Sequence, residues 1–142
     1  MKLIKLAALA VCITVFAAVA VNAAPIRQSD AGHDGSSVPA TKKMKVSVKV
    51  RKDKMKGYNL FVKTRGFRWA PEHASGKHRK GEGHAHLMID GKKVTRLYGS
   101  AYYLSELASG SHKVVVTLNA NDHRGYTRNG REIKASTTVV VR

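Results

Sequence analysis

The chain alternates apolar and polar side chains through Met44-Lys45-Val46-Ser47-Val48-Lys49-Val50-Arg51. Successive side chains of a β-strand point to opposite faces, so this period of two indicates a strand with one buried and one solvated face. Similar apolar runs return further along the chain, separated by turn signals such as Asp90-Gly91 and Asn129-Gly130, which favour tight hairpins. These runs predict further strands over residues 58–63, 84–90, 93–98, 101–104, 112–118 and 133–141.

The pattern after residue 43 shows no convincing helical periodicity, and only residues 105–109 suggest a single helical turn. Short strands separated by turn signals are typical of an all-β sandwich. We therefore predict that residues 44–142 form one small β-sandwich of about seven strands, immunoglobulin-like or cupredoxin-like in arrangement. The sequence leaves the order of the strands open.

Residues 1–23 have the three parts of a secretory signal peptide. Lys2 and Lys5 precede an apolar run over residues 6–21, and Ala23 ends the segment with a small side chain at the predicted cleavage site. The run is at the lower limit of the roughly 17–25 residues that a membrane span needs, so we predict cleavage and no span in the mature chain. Residues 24–43 are polar and aperiodic, which predicts a flexible leader. The expected location is periplasmic or secreted.

Cys12 is the only cysteine, and it lies in the predicted signal peptide. The mature protein is therefore expected to have neither a disulfide nor a thiolate. This excludes a type I copper centre, which needs a cysteine thiolate, and a cysteine nucleophile. The predicted new amino terminus, Ala24-Pro25-Ile26, contains no histidine, which also excludes an amino-terminal copper clip.

The chain has 26 lysines and arginines against 9 aspartates and glutamates, a formal net charge of +17. Such an excess favours association with polyanions, although a solvated basic surface is the simpler explanation. No aromatic-interleaved basic motif of a nucleic-acid-binding module is present, so no nucleic-acid partner is expected. The expected macromolecular partners are an anionic cell-surface polymer or a periplasmic protein.

The sharpest chemical motif is His84-Ala85-His86-Leu87-Met88, which lies on a predicted strand. Because alternate residues share a face, His84, His86 and Met88 should project together while the residues between them face the core. Imidazole suits copper, zinc and nickel, and a thioether adds a preference for Cu(I). The alternative is a polar, solvated face without a metal.

Two neighbouring segments offer further ligands. Residues 70–83 lack a large apolar side chain and run directly into His84, so His73 could close over the histidine pair; the alternative is a mobile basic loop. His123 follows the strand predicted over residues 112–118, in a segment whose Asn and Asp residues are also ordinary turn formers. Asp122 beside it could orient a ligating histidine.

The predicted metal ligands are therefore His84, His86 and His123, with His73 and Met88 as additional candidates. Two other histidines are weaker candidates. His33 lies in the predicted leader, and His112 begins a strand with no partner nearby in the sequence.

Several blocks of the chain resemble a group of small exported bacterial domains. The resemblance covers residues 44–141 and is carried by residues 67–73, 81–92, 96–99 and 110–123. It implies an immunoglobulin-like or cupredoxin-like sandwich, a periplasmic metal-handling role, and the grouping of His84, His86 and His123.

These observations predict an exported, non-enzymatic metal-binding protein that sequesters or delivers copper, with zinc as the alternative ion. A second hypothesis is a basic sandwich module that binds anionic surfaces or a protein partner without a metal. A hydrolytic zinc enzyme with Glu72 or Glu82 as its base ranks last, because no nucleophile motif such as G-x-S-x-G is present.

Overall fold

A computed structural model of the protein describes residues 36–142, which form two packed β-sheets. A short 3₁₀ helix occupies Pro71–His73. The strands in chain order are β1 (Ser37–Pro39), β2 (Lys45–Lys52), β3 (Tyr58–Arg65), β4 (Arg68–Trp69), β5 (Glu82–Ile89), β6 (Lys92–Leu97), β7 (Ala101–Leu104), β8 (Gly110–Asn119), β9 (Gly125–Arg128), β10 (Arg131–Glu132) and β11 (Lys134–Val141).

The smaller sheet has three antiparallel strands in the order β2-β3-β7, and the larger sheet has eight. Strand β8 organises the larger sheet, because it pairs with β11 along one edge and with β5 along the other. Strand β6 extends the sheet beyond β5, and β4 adds two parallel pairs at the start of β5. Strand β9 follows the end of β8 and pairs with β1 in parallel and with β10 antiparallel.

The hydrophobic core lies between the two sheets, where β2 lies against β11 of the larger sheet. Strands β5 and β8 supply one wall of this core through Leu87, Val114, Val116 and Leu118, each at most 1 % exposed. Burying an aliphatic side chain contributes about 1.5–3 kcal/mol. This wall therefore determines which residues of β5 face inward and leaves the alternate residues on the outer face of the sheet.

The predicted all-β sandwich is confirmed, and all seven strands predicted from the apolar runs are present as β2, β3, β5, β6, β7, β8 and β11. The predicted number was too low, since the described residues form eleven strands. The four additional strands β1, β4, β9 and β10 have two to four residues each. Such segments are too short to show the alternation that identifies a strand in the sequence.

The predicted signal peptide, residues 1–23, and residues 24–35 of the predicted leader lie outside the described residues. The remainder of the leader differs from the prediction, because Ser37–Pro39 forms β1, parallel to β9, with Val38 buried. One apolar residue in a polar stretch gives no period from which this strand could be recognised. In the described part of the chain, no helix has the length and apolar character needed to cross a membrane.

The predicted Asp90-Gly91 turn connects β5 to β6, with both residues at positive φ, 51° and 79°. The Asp90 carboxylate accepts hydrogen bonds from the Lys113 backbone N–H at 2.7 Å and from Nδ1 of His112 at 2.7 Å. His112 also donates from Nε2 to the Ala108 carbonyl at 2.8 Å. The expectation that His112 has no partner was wrong, because the β5–β8 register brings Asp90 beside it.

The His112–Asp90 pair predicts a pH-dependent contribution to stability. The hydrogen bond that His112 donates to Asp90, and then the one that it donates to the Ala108 carbonyl, raise the pKa of His112 above its ordinary value of 6.5. Because the pKa of His112 is higher in the folded protein than in the unfolded chain, the pair stabilises the fold fully below about pH 6.5. This stabilisation is lost as the pH rises through the folded-state pKa. We expect His112→Gln to lower the melting temperature at pH 5.5 more than at pH 9. An equal decrease at both pH values would contradict this assignment.

Candidate metal centre

Strand β5 presents His84 and His86 on the outer face of the larger sheet, as the alternation predicts. Both imidazoles are nevertheless buried, at 1 % and 4 % exposure. Tyr98 contributes to this cover, since its ring centroid lies 5.6 Å from that of His84. Polar side chains on the outer face of a sheet are usually exposed to water, so the burial of both imidazoles is unusual.

Three imidazole nitrogens converge at this position. Nε2 of His84 lies 3.0 Å from Nε2 of His86 and 3.2 Å from Nδ1 of His123. One ligand atom from each of the three histidines falls within 4.8 Å of the other two. Metal–nitrogen bonds of about 2.0–2.1 Å in a tetrahedral site require nitrogen–nitrogen separations of roughly 3.3 Å. The two separations from His84 are close to this value, and the three histidines could hold an ion.

The β8–β9 turn places the third ligand. The His123 backbone N–H donates to the Ala120 carbonyl at 3.0 Å, and the Asn119 side chain donates to the His123 carbonyl at 3.2 Å. This turn holds His123 at a φ of 71°, in the left-handed region that costs an ordinary residue roughly 1–2 kcal/mol. Backbone strain of this kind persists where the surrounding structure enforces it, and it concentrates at functional sites.

Gly83 allows the turn to approach β5 closely. It has a φ of 154°, and a Cβ at this position would lie 2.0 Å from the Asn119 carbonyl oxygen. A residue with a side chain would therefore displace the backbone of Asn119 and Ala120. Because His84 follows directly, the absence of a side chain at Gly83 is what allows β5 and the His123 turn to come together.

A separate polar cluster lies beside the three histidines and surrounds the buried carboxylate of Glu82. Nδ1 of His73 lies 2.6 Å from Oε1 of Glu82, Asn121 donates to the same oxygen at 3.0 Å, and Arg68 forms an ion pair with Oε2. Burial alone would raise the pKa of Glu82, but the hydrogen bonds from Asn121, Arg68 and His73 outweigh it and lower the pKa to about 2. Arg68 also pairs with Glu72 at 2.6 Å.

This arrangement separates the predicted ligands. The structure brings His84, His86 and His123 together, whereas His73 contacts Glu82 and lies outside that group. Met88 lies at a β-bulge in the β5–β6 pairing and opposite Val115, on the same face of β5 as His86. Its thioether therefore stays a predicted additional ligand.

The segment over residues 70–83 is anchored against the histidine cluster. The hydroxyl of the fully buried Tyr126 donates to the carbonyls of Arg79 at 3.3 Å and Glu82 at 2.9 Å. Ser75 reaches the cluster, with its Oγ 3.0 Å from Nε2 of His123. The segment therefore contacts the three-histidine cluster through Ser75, whereas the sequence predicted a contact through His73.

Lys93 is a site residue that the sequence analysis missed. Its Nζ lies 3.3 Å from Nε2 of His86, the nitrogen that faces the other histidines. Partial burial of the ammonium group lowers the pKa of Lys93, and the charge of Arg96 adds to this shift. An ammonium group is a donor only, so it competes with a metal ion for the lone pair of the imidazole.

Comparisons of the chain with protein-family models, with curated proteins and with solved structures found no match. The resemblance to exported bacterial domains therefore stays a prediction. A function has to be inferred from the geometry of the histidine cluster and its surroundings.

The strained turn predicts that His123 can be replaced without loss of folding. Asparagine adopts positive φ more readily than most residues, so His123→Asn should leave the melting temperature of the metal-free protein unchanged or raised. Affinity for a metal ion should fall by at least about 100-fold, since even removal of a residue that only orients a ligand costs 10–100-fold. A calorimetric titration and a thermal melt of the same sample measure both effects.

The matched control is His78→Asn, which replaces a neighbouring histidine outside the three-histidine group. It should leave metal affinity unchanged within experimental error. Unaltered metal binding in His123→Asn would show that the turn places His123 for packing and not for coordination.

Lys93 gives a prediction in the opposite direction. Lys93→Leu should increase the affinity for a metal ion about fivefold, because it removes a competing donor and a solvent-screened positive charge a few ångströms from the ion, worth about 1 kcal/mol, without adding a new ligand. The control Lys92→Leu removes the same charge from the neighbouring position at the start of β6. Decreased affinity in Lys93→Leu would instead show that the lysine assists binding.

Proposed function

We propose that this protein is an exported copper-binding protein that holds one ion through His84, His86 and His123. Its role is to sequester the ion or deliver it to a partner. The observation that carries the proposal is the convergence of three imidazole nitrogens within 4.8 Å of one another, two of them on buried side chains. Zinc is the alternative ion, since the same ligands suit it.

The donor set favours copper over the other common ions. Imidazole sites bind Cu²⁺ more tightly than the other divalent first-row metals. Met88 lies on the same strand face as His86, where its thioether would add a donor suited to Cu(I). Hard cations such as Mg²⁺ and Ca²⁺ prefer oxygen ligands, which the three-histidine group does not offer.

The carboxylates near the cluster favour binding over catalysis. A hydrolytic metal site usually has a general base whose pKa lies near the working pH. Glu82 has a pKa of about 2, and both Glu82 and Glu72 are ion-paired with Arg68. Neither group is suited to accept a proton from a metal-bound water at neutral pH, so we infer a non-enzymatic role.

The cover over the ligands suits a protein that retains its ion and releases it by one route. His84 and His86 are buried, whereas His123 is only partly buried and contacts the exposed Ser75. A receiving ligand would therefore reach the ion from the His123 side. Residues 1–23 have the features of a signal peptide, which supports a role outside the cytoplasm.

The test is a calorimetric titration of the protein purified after export with Cu(I), Cu(II), Zn(II) and Ni(II). We expect one ion per chain, a dissociation constant below about 1 μM, and copper as the preferred metal. The double variant His84→Ala/His86→Ala should abolish this binding. His73→Ala should retain it, since His73 pairs with Glu82.

The competing outcomes are distinct. Weak binding at several sites that persists in His84→Ala/His86→Ala would reject the three-histidine centre. Tight one-to-one binding that prefers zinc would keep the centre and reject copper. Loss of binding in His73→Ala, with an unchanged melting temperature, would add His73 to the ligands.

A further inference from the structure

The outer face of the smaller sheet is strongly basic. Lys45, Lys49 and Arg51 of β2 and Lys63 and Arg65 of β3 are all exposed on this face, and the outward positions of β2, β3 and β7 include no acidic residue. We call these five residues, together with Phe61, the basic face. Its residues are separate from the histidine cluster, which lies on the outer side of the larger sheet.

In the described part of the chain, no carboxylate forms an ion pair with the five cations of the basic face. Asp53 lies at the β2–β3 turn and accepts a hydrogen bond from the Asn59 amide at 2.6 Å, and Glu106 pairs with Lys56 at 3.0 Å. Within the face, Lys45 stands directly opposite Arg65 in the strand register. Like charges that face each other across a ladder are destabilising. An external anionic partner would relieve this repulsion.

Exposed aromatic side chains lie among the cations. Phe61 is 44 % exposed opposite Lys49, and Tyr103 is 52 % exposed on the adjacent strand β7. Trp69 is partly buried and lines one shallow groove together with Phe61, Lys49 and Lys63. Aromatic rings flanked by basic side chains are typical of protein surfaces at a bilayer interface, where rings sit at headgroup level and cations meet anionic lipids.

We propose that the basic face docks on a bilayer surface rich in anionic phospholipid. The three-stranded sheet presents its five cations to the headgroups, and Phe61 enters the interfacial layer between them. Without Lys2 and Lys5 of the predicted signal peptide, the net charge of +17 becomes +15, which adds a long-range attraction to the same surface. Docking through this sheet leaves the histidine cluster on the opposite side of the sandwich, accessible to a soluble partner. This proposal does not depend on metal binding.

The test is co-sedimentation of the exported protein with vesicles of phosphatidylcholine, with and without about one-third phosphatidylglycerol. We expect binding only to the anionic vesicles, weakening as salt is added. Lys49→Glu/Lys63→Glu should reduce the binding constant by at least about tenfold, and Phe61→Ser by a few fold. Metal affinity and melting temperature should remain those of the unmodified protein.

The matched control is Lys92→Glu/Lys113→Glu, which changes the net charge by the same amount at exposed positions of the larger sheet. It should change vesicle binding less than about twofold. An equal loss in both double variants would show attraction by net charge alone and overturn the basic face. Absence of vesicle binding, or equally tight binding to a soluble polyanion such as heparin without dependence on Phe61, would overturn the bilayer as its partner.

Discussion

The close approach of the β8–β9 turn to the start of β5 determines the arrangement around the histidine cluster. Gly83 packs against the Asn119 carbonyl at a distance that excludes a side chain, and the turn holds His123 at a φ of 71°. This contact brings Nδ1 of His123, in the β8–β9 turn, to 3.2 Å from Nε2 of His84 on β5. If either backbone moved by a side-chain width, His84 and His86 would remain a pair on β5 but would lose the third histidine.

The surrounding polar groups stabilise this contact at some cost to the metal-free protein. Tyr126 and Asn121 anchor the 70–83 segment, and Glu82 is kept ionised by its hydrogen-bond partners. The cluster itself combines a strained His123 backbone with an ammonium group beside His86. A bound cation would occupy the converging lone pairs and displace the Lys93 contact. The strained turn thus places His123 before an ion binds, as is common at functional sites, whereas the Lys93 contact opposes binding because it has to be broken.

The predictable features were those with a local signal in the sequence. Alternation over eight residues predicted β2, and Asp-Gly and Asn-Gly predicted two hairpin turns. The grouping of His84 with His86 also follows from strand periodicity alone. The missed features depend on contacts between distant segments: Lys93 reaches His86 through the β5–β6 register, and His73 is drawn to Glu82 by an ion-pair network. The spacing of residues along the sequence does not show which of two neighbouring groups a histidine contacts in the folded protein.

X-ray absorption spectroscopy of the copper-loaded protein tests the three-histidine centre most directly, because it reports the ligand atoms around the ion. The centre predicts three imidazole ligands per copper at about 2.0 Å, reduced to two in His123→Asn. A sulfur scatterer in addition would assign Met88 to the site. A spectrum with at most one imidazole per copper, or one unchanged by His123→Asn, would contradict the three-histidine centre.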